Sequence, residues 1–274
     1  MRILSYDFMQ HALLAAVLVG ITAPTVGIFL VQRRLSLIGD GIGHVSLAGV
    51  AVGVLTSNAP VLTALVAAVL GATAIELIRA RGRTSGDVAL AVLFYGGIAG
   101  GVVIISQAPS GTPGNLNAYL FGAITTTSST DIAVFAVLAV LVLGVTIGLG
   151  RYLFAVSDDE DFAAASGLPV LRLNLLLSIV TAVTVVISMR VVGLLLISAL
   201  MIIPVASAQL MARSFRATMA GGVLIGLCVA VGGVAISFYA DTPSGGTIVL
   251  LAIGVFLVMT IVHAAQSSLR RRSP

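Results

Sequence analysis

RRLSLIGDGIGHVSLAG, residues 33–49, is the stretch on which the reading of this chain turns. Two arginines open it, an apolar run follows, and inside that run Asp40 and His44 stand four residues apart. Arg33 and Arg34 mark one boundary of a membrane span. At 1.5 Å per residue, Asp40 is expected roughly 10 Å and His44 about 15 Å beyond that boundary. Side chains four apart on a helix project from one face, one turn above the other. Gly39, Gly41 and Gly43 leave room beside them for a neighbouring helix or an ion. An aspartate at mid-span costs about 2.5–3.5 kcal/mol on insertion scales, which disfavours one facing lipid alone.

Three readings fit the pair: a structural hydrogen bond, a proton relay, or a transient site for a divalent transition metal. Imidazole with carboxylate suits zinc, manganese or iron(II), and the lack of a Cys or Met cluster argues against copper(I). A structural zinc site closes with four protein ligands. Two ligands from one helix leave an open, weaker site that can release its ion.

The composition surrounds this stretch with more lipid-soluble sequence. Of 274 residues, 59% are hydrophobic and 9% charged, against about 25% charged in soluble domains. The class is therefore an all-α, polytopic membrane protein, read as a single transmembrane domain over residues 1–274. The basic balance comes from 14 arginines, which sit at the ends of apolar runs and do not form a nucleic-acid-binding patch. Lysine is absent, so these residues hold no P-loop of the GxxxxGK[ST] type, and any ATP energy must come from another subunit. The single cysteine, Cys228, excludes an intrachain disulfide and a CxxC metal site. The first apolar run reads as a span and not as a cleaved signal peptide.

A span needs about 20 apolar residues. Spans are expected at 9–31, 36–56, 59–78, 87–106, 132–154, 170–189, 191–211, 217–239 and 247–265. The stretch from Leu173 to Pro204 is too long for one crossing, so a tight turn is placed at Met189-Arg190. With the N-terminus outside and the C-terminus inside, twelve arginines fall inside and only Arg2 and Arg190 outside, a strong positive-inside bias. Glycine pairs such as Gly96-Gly97 and Gly232-Gly233 suit close helix packing. Glu76 reads as a boundary ion-pair former with Arg79 and Arg81, and Asp87 as the cap of the fourth span. His11 and His263 read as interfacial polar residues. The loop 107–131 is expected to carry a short helix at the outer face.

SDDEDFAAASGLPV, residues 157–170, reads as a short helix outside the hydrocarbon. Ser157 and Glu160 form an expected capping box, and Asp158 and Asp159 favour the first turn. Ala163 to Ala165 propagate the helix, Gly167 supplies a left-handed stop, and Pro169 prevents continuation. So short a helix is marginal without packing, which suggests that it docks into a partner.

These stretches resemble the ZnuB-type permeases of zinc, manganese and iron ABC importers. RRLSLIGDGIGHVSLAG is similar to their span-two signature, and DFAAASGLPV and MRVVGLLLISALMIIPVASAQ (189–209) fit the same family. SGDVALAVLFYGG and NAYLFG add to the likeness, which covers nearly the whole chain. The resemblance implies a type II importer fold and a homodimer with two separate cytoplasmic ATPase subunits. It also implies an extracellular metal-binding lipoprotein or periplasmic protein as donor, the cytoplasmic membrane of a prokaryote, and no enzymatic activity in this subunit. By position it makes Asp40 and His44 the metal-coordinating pair. It places coupling to the ATPase on Ser157, Glu160, Asp161, Ala164, Gly167 and Pro169, within a coupling helix at 157–169. Asp161 replaces the family's more common Glu, and Gly41-Ile42-Gly43 departs from its usual sequence between Asp and His. No permanently bound cofactor is implied. The cargo is Zn²⁺, with Mn²⁺ or Fe²⁺ of the same family as the alternative. An intramembrane aspartyl protease fails, because Asp7 precedes the first span and LIGD lacks the first glycine of GxGD. An ATP-independent secondary transporter or channel would not need the capped helix.

Overall fold

Long apolar runs fold as helices here because each buried backbone group is satisfied inside its own segment. The polar residues within them follow the same rule. The hydroxyls of Thr22, Thr181 and Thr184 each donate to the carbonyl four residues earlier at 2.8 Å, and Ser188 does so at 2.7 Å. A hydroxyl bonded in this way can sit in a dry core without an unsatisfied donor.

The structure is a computed structural model that describes residues 6–56, 59–81, 86–107, 120–122, 129–189, 192–194 and 196–272. Its helices are α1 (Asp7–Gln32), α2 (Ile38–Leu55), α3 (Pro60–Ala80), α4 (Gly86–Ser106), α5 (Ser129–Gly148), α6 (Gly150–Asp158), α7 (Glu160–Ala165), α8 (Val170–Ser188), α9 (Ile197–Gln209), α10 (Phe215–Ala240) and α11 (Ser244–Arg272). Eight of them are long and apolar enough to cross a membrane, and α9 is a shorter apolar helix. The seventh expected span, 191–211, is therefore present as 13 helical residues, about 20 Å long. Before it, the chain leaves helical geometry at Gly193 (φ 88°) and Leu196 (φ −121°). The tight turn expected at Met189-Arg190 falls where Arg190, Val191 and Leu195 lie outside the described residues; among the described ones, α-helix ends at Ser188 and resumes at Ile197. Most of the 107–131 loop, and the side chain of Asp87, also lie outside them.

α1 and α8 form the buried centre, while α4, α5 and α11 turn most of their surface outward. α1 packs against α10, α9, α5 and α8, and α2 is held between α3 and α4 with further contacts to α8 and α9. Small residues set these approaches. A Cβ on Gly27 of α1 would lie 1.9 Å from the Met201 carbonyl of α9, and one on Gly97 of α4 would lie 2.7 Å from the His44 backbone of α2. Of the expected packing pairs, Gly97 and Gly233 make close approaches, whereas Gly96 and Gly100 face open space. The fifth expected span is interrupted at Leu149. There the membrane helix α5 hands over to α6, whose buried face of Leu153, Val156 and Ser157 lies against α8 and the end of α1.

Candidate metal site and its link to the docking helix

The chain between α1 and α2 is an elbow. Arg34 takes a left-handed backbone (φ 58°), Leu35 N–H donates to the Leu30 carbonyl at 2.9 Å, and Ile38 N–H donates to Leu35 at 3.1 Å. Because residues 33–37 turn rather than climb, Asp40 falls in the first turn of α2. From Ile38 the helix rises only about 3 Å to Asp40 and about 9 Å to His44. Both therefore lie nearer the arginine-rich end than a continuous span from Arg34 implied. At this position the dipole at the helix N-terminus favours a carboxylate.

Asp40 and His44 do share a face, as the spacing requires, and both are half-buried. What flanks them follows from about 100° of rotation per residue. On one side, Gly39 and Gly43 face α9 and the irregular strand before it. A Cβ on Gly39 would meet Ser198 Oγ at 2.6 Å and Met201 Sδ at 3.6 Å, and one on Gly43 would meet the Leu194 carbonyl at 3.0 Å. On the other side stands α4, where Phe94 contacts the His44 ring edge-on at 4.4 Å between centroids and Gly97 lies against the His44 backbone. Asp40 and His44 thus sit on the stretch of α2 flanked by α4 on one side and α9 on the other. Leu37, on the same face, is 63% exposed. Among the described residues no three His, Cys, Asp or Glu side chains gather as a metal cluster, so one copy of the chain offers this pair alone from those residue types. His11 is half-buried and His263 exposed, and neither joins the pair.

At the arginine-rich end Glu76 pairs with Arg79 as expected, but Arg33 and not Arg81 is its second partner. The Glu76 side chain, 3% exposed, accepts from Arg79 at 2.9 Å and from Ser178 at 3.4 Å, and lies 3.9 Å from Arg33. Arg33, itself 4% exposed, also donates to Glu160 in the first turn of α7. Asn174 of α8 donates to the same Glu160 oxygen at 3.2 Å, and Gln32 donates to Asp158 at 2.8 Å. Burial pulls the Arg33 pKa below the ordinary arginine value, against the opposing pull of Glu160 and Glu76. One guanidinium thus ties α7 to α3 at the elbow that leads into α2.

The helix expected over 157–170 differs from expectation at its start. Ser157 does not cap it. Ser157 lies inside the last turn of α6, buried, with its hydroxyl unpartnered. The cap is Asp159, in extended geometry (φ −148°, ψ 106°), whose carboxylate accepts from Phe162 N–H at 2.9 Å. α6 runs on to Asp158, so the break comes two residues late, and Glu160 turns to Arg33 instead of back to its own helix. The stop matches expectation. Gly167 is left-handed (φ 79°), and Leu168 N–H reaches the Ala163 carbonyl at 3.0 Å while Gly167 N–H reaches Ala164 at 3.0 Å, a Schellman closure. Pro169 then precedes α8. Asp161, Ala164 and Gly167 are exposed, and so is Phe162 at 69%.

Arg33, Asn174 and Ser198 were not singled out by the sequence. For Asn174 and Ser198 the available signal was a polar residue inside an apolar run. For Arg33 nothing local distinguished it from a boundary arginine.

The sequence model described as the ABC 3 transport family matches residues 5–263. The chain is 32% identical to the manganese transport system membrane protein MntC of Halalkalibacterium halodurans, over 98% of this chain and 92% of that one. It is 26% identical to the high-affinity zinc uptake system membrane protein ZnuB of Haemophilus influenzae, over 92% and 97%. The bundle superposes on the solved structure of PsaBC from Streptococcus pneumoniae in complex with Fab with TM-score 0.83 and 32% identity, covering 94% of this chain and 92% of that one. A match over nearly the whole length, in sequence and in helix arrangement, shows that the chain belongs to the ABC 3 transport family, the membrane permeases of metal ABC transporters.

Proposed function

We propose that this chain is the permease subunit of an ATP-driven importer that carries a divalent transition metal past Asp40 and His44. The observation that carries the reading is the position of this pair, half-buried on one face of α2 with α4 on one side and α9 on the other. Two ligands from one chain bind weakly, and a second copy related by a two-fold axis would face this stretch of α2 with the same pair. The permease is thus read as a homodimer, with the arginine-rich ends of α1, α3 and α8 in the cytoplasm, the N-terminus outside and the C-terminus inside.

Two cytoplasmic ATPase subunits receive α7, whose exposed Phe162 and capped ends suit insertion into a partner. An extracellular metal-binding protein delivers the ion at the opposite face. The whole chain acts as one transmembrane domain in the cytoplasmic membrane of a prokaryote. Zn²⁺, Mn²⁺ and Fe²⁺ all suit a carboxylate with an imidazole, and the relatives named for manganese and for zinc support that class.

The test is uptake of Zn²⁺ and Mn²⁺ into vesicles holding the assembled complex, with and without ATP. Asp40→Ala and His44→Ala are each expected to lower uptake by at least about tenfold. Wild-type rates in both variants would refute the site. Uptake that needs no ATP would replace this reading with the secondary transporter.

A further inference from the structure

We infer that the cleft between the α5–α6 junction and the start of α10 holds an anionic phospholipid, its phosphate between Arg151 and Arg216 and an acyl chain along the apolar wall beside them. This goes beyond metal transport and concerns a flank of the bundle away from Asp40 and His44. From the reading above it takes only the placement of the arginine-rich end at the cytoplasmic headgroup level.

The cleft exists because the fifth expected span is broken. α5 hands over to α6 at Leu149, whose backbone departs from helical geometry (φ −100°, ψ 8°), and α10 begins nearby after its Ser214 cap. Between them lies a cavity of about 550 Å³ with Ile147, Gly150, Phe154, Phe215 and Met219 in its walls, within the range of about 300–1,000 Å³ usual for small-molecule sites. Phe154 meets Phe215 at 4.7 Å between ring centroids, and Phe29 of α1 stands 5.5 Å from Phe215. A Cβ on Gly150 would meet nothing within 4 Å, and Ile147 is exposed on the outward side of α5.

Charge selects the occupant. Arg151 and Arg216 complete the lining. Each is the second residue of its helix, the end at which the helix dipole disfavours a cation and favours an anion. Among the described residues the ion pairs are made by Arg33 and Arg79, and none by Arg151 or Arg216. Arg151 is held over the Tyr152 ring, 4.5 Å from its centroid, and donates to the Tyr152 hydroxyl, which leaves most of its five N–H donors free. Guanidinium forks match phosphate oxygens, and basic pockets between helices on the cytoplasmic side take anionic lipid headgroups. A second copy of the chain does not suit the cleft. α5 and α10 pack on α1, whereas α2, which carries the Asp40–His44 pair, packs on α3, α4, α8 and α9.

In the experiment the assembled complex, purified in detergent, is offered phosphatidylglycerol and phosphatidylcholine with identical acyl chains. Native mass spectrometry counts the lipid retained. Wild type is expected to keep phosphatidylglycerol at least about tenfold over phosphatidylcholine, and Arg151→Gln and Arg216→Gln should each lower that retention about fivefold. Gly150→Leu keeps both charges and suits a helix better than glycine, but fills the cavity, and should lower retention as well. Arg172→Gln, at an exposed arginine of α8 outside the cleft, should leave it unchanged. Equal retention of the two lipids, wild-type retention in the double arginine variant, or an equal loss in Arg172→Gln would reduce the effect to diffuse surface charge and overturn the inference. Unchanged retention in Gly150→Leu, or displacement of phosphatidylglycerol by inorganic phosphate at equal concentration, would leave an anion site without a place for a chain and overturn it too. None of these outcomes depends on whether a metal passes Asp40 and His44.

Discussion

Glycine 39 shows how one absent side chain can shape a site. A methyl group there would sit 2.6 Å from Ser198 Oγ, so the hydroxyl or its helix would have to shift. Gly39→Ala is therefore expected to destabilise the fold by about 1–3 kcal/mol through overpacking and to lower metal uptake more than Gly96→Ala, whose added methyl meets nothing within 4 Å. Thermal unfolding and uptake of the two variants check this, and equal behaviour would remove the constraint from Gly39. At this scale the sequence was informative about the candidate pair and silent about its neighbours. Asp40 and His44 stand out because ionisable groups are costly in apolar runs. Ser198 does not, because a serine in a membrane helix normally bonds its own backbone. The depth of the pair was misjudged for a related reason, since nothing in RRLSL announces that Arg34 will turn left-handed and hold the chain level until Ile38.

Among the elements, α7 carries the clearest division between what sequence reveals and what packing decides. Its stop was legible, because glycine followed by Leu-Pro has few conformations available. Its start was not. Four polar residues in a row, Ser157 to Glu160, offer several caps, and the choice fell to Asp159 once the buried face of α6 had extended the preceding helix. Glu160 was thereby freed to meet Arg33, and a buried guanidinium came to join α7 to α3 beside the elbow of α2. Removing one partner of such a pair leaves charge under-compensated. Arg33→Gln is expected to leave the complex hydrolysing ATP while metal uptake falls several-fold, and the double variant Arg33→Glu with Glu160→Arg should recover part of the loss. The ratio of metal moved to ATP consumed is the measurement. An unchanged ratio in Arg33→Gln would show the bridge to be structural cement alone.

For the molecule as a whole, helix number and order were readable from apolar run length. The exception is the seventh expected crossing, 191–211, where α9 is a short helix. Assembly is the level that the sequence addresses only through resemblance, and the structure now gives it a testable face. Leu37, Asp40 and His44 lie along one side of α2, spaced i, i+3, i+7, with Leu37 63% exposed. If two copies meet across this face, cysteines placed at Leu37 will approach each other. The chain has a single cysteine, Cys228, so a Cys228→Ser background is clean. Leu37→Cys in that background is expected to give an oxidant-dependent covalent dimer on a denaturing gel, and Leu250→Cys, on the outward surface of α11, is not. Failure of the first to cross-link in the assembled complex would place the two-fold axis elsewhere.

The exposed Phe162 has a consequence for the life of the protein before it is assembled. The third residue of a six-residue helix and 69% bare, it is expected to mark an unmated subunit for the chaperones and proteases that survey newly made chains. A cell making this chain without its ATPase should clear it quickly. Phe162→Ser would lengthen the half-life of the orphan in a pulse-chase while weakening its later capture by the ATPase, so that one aromatic ring would act both as docking plug and as quality-control flag.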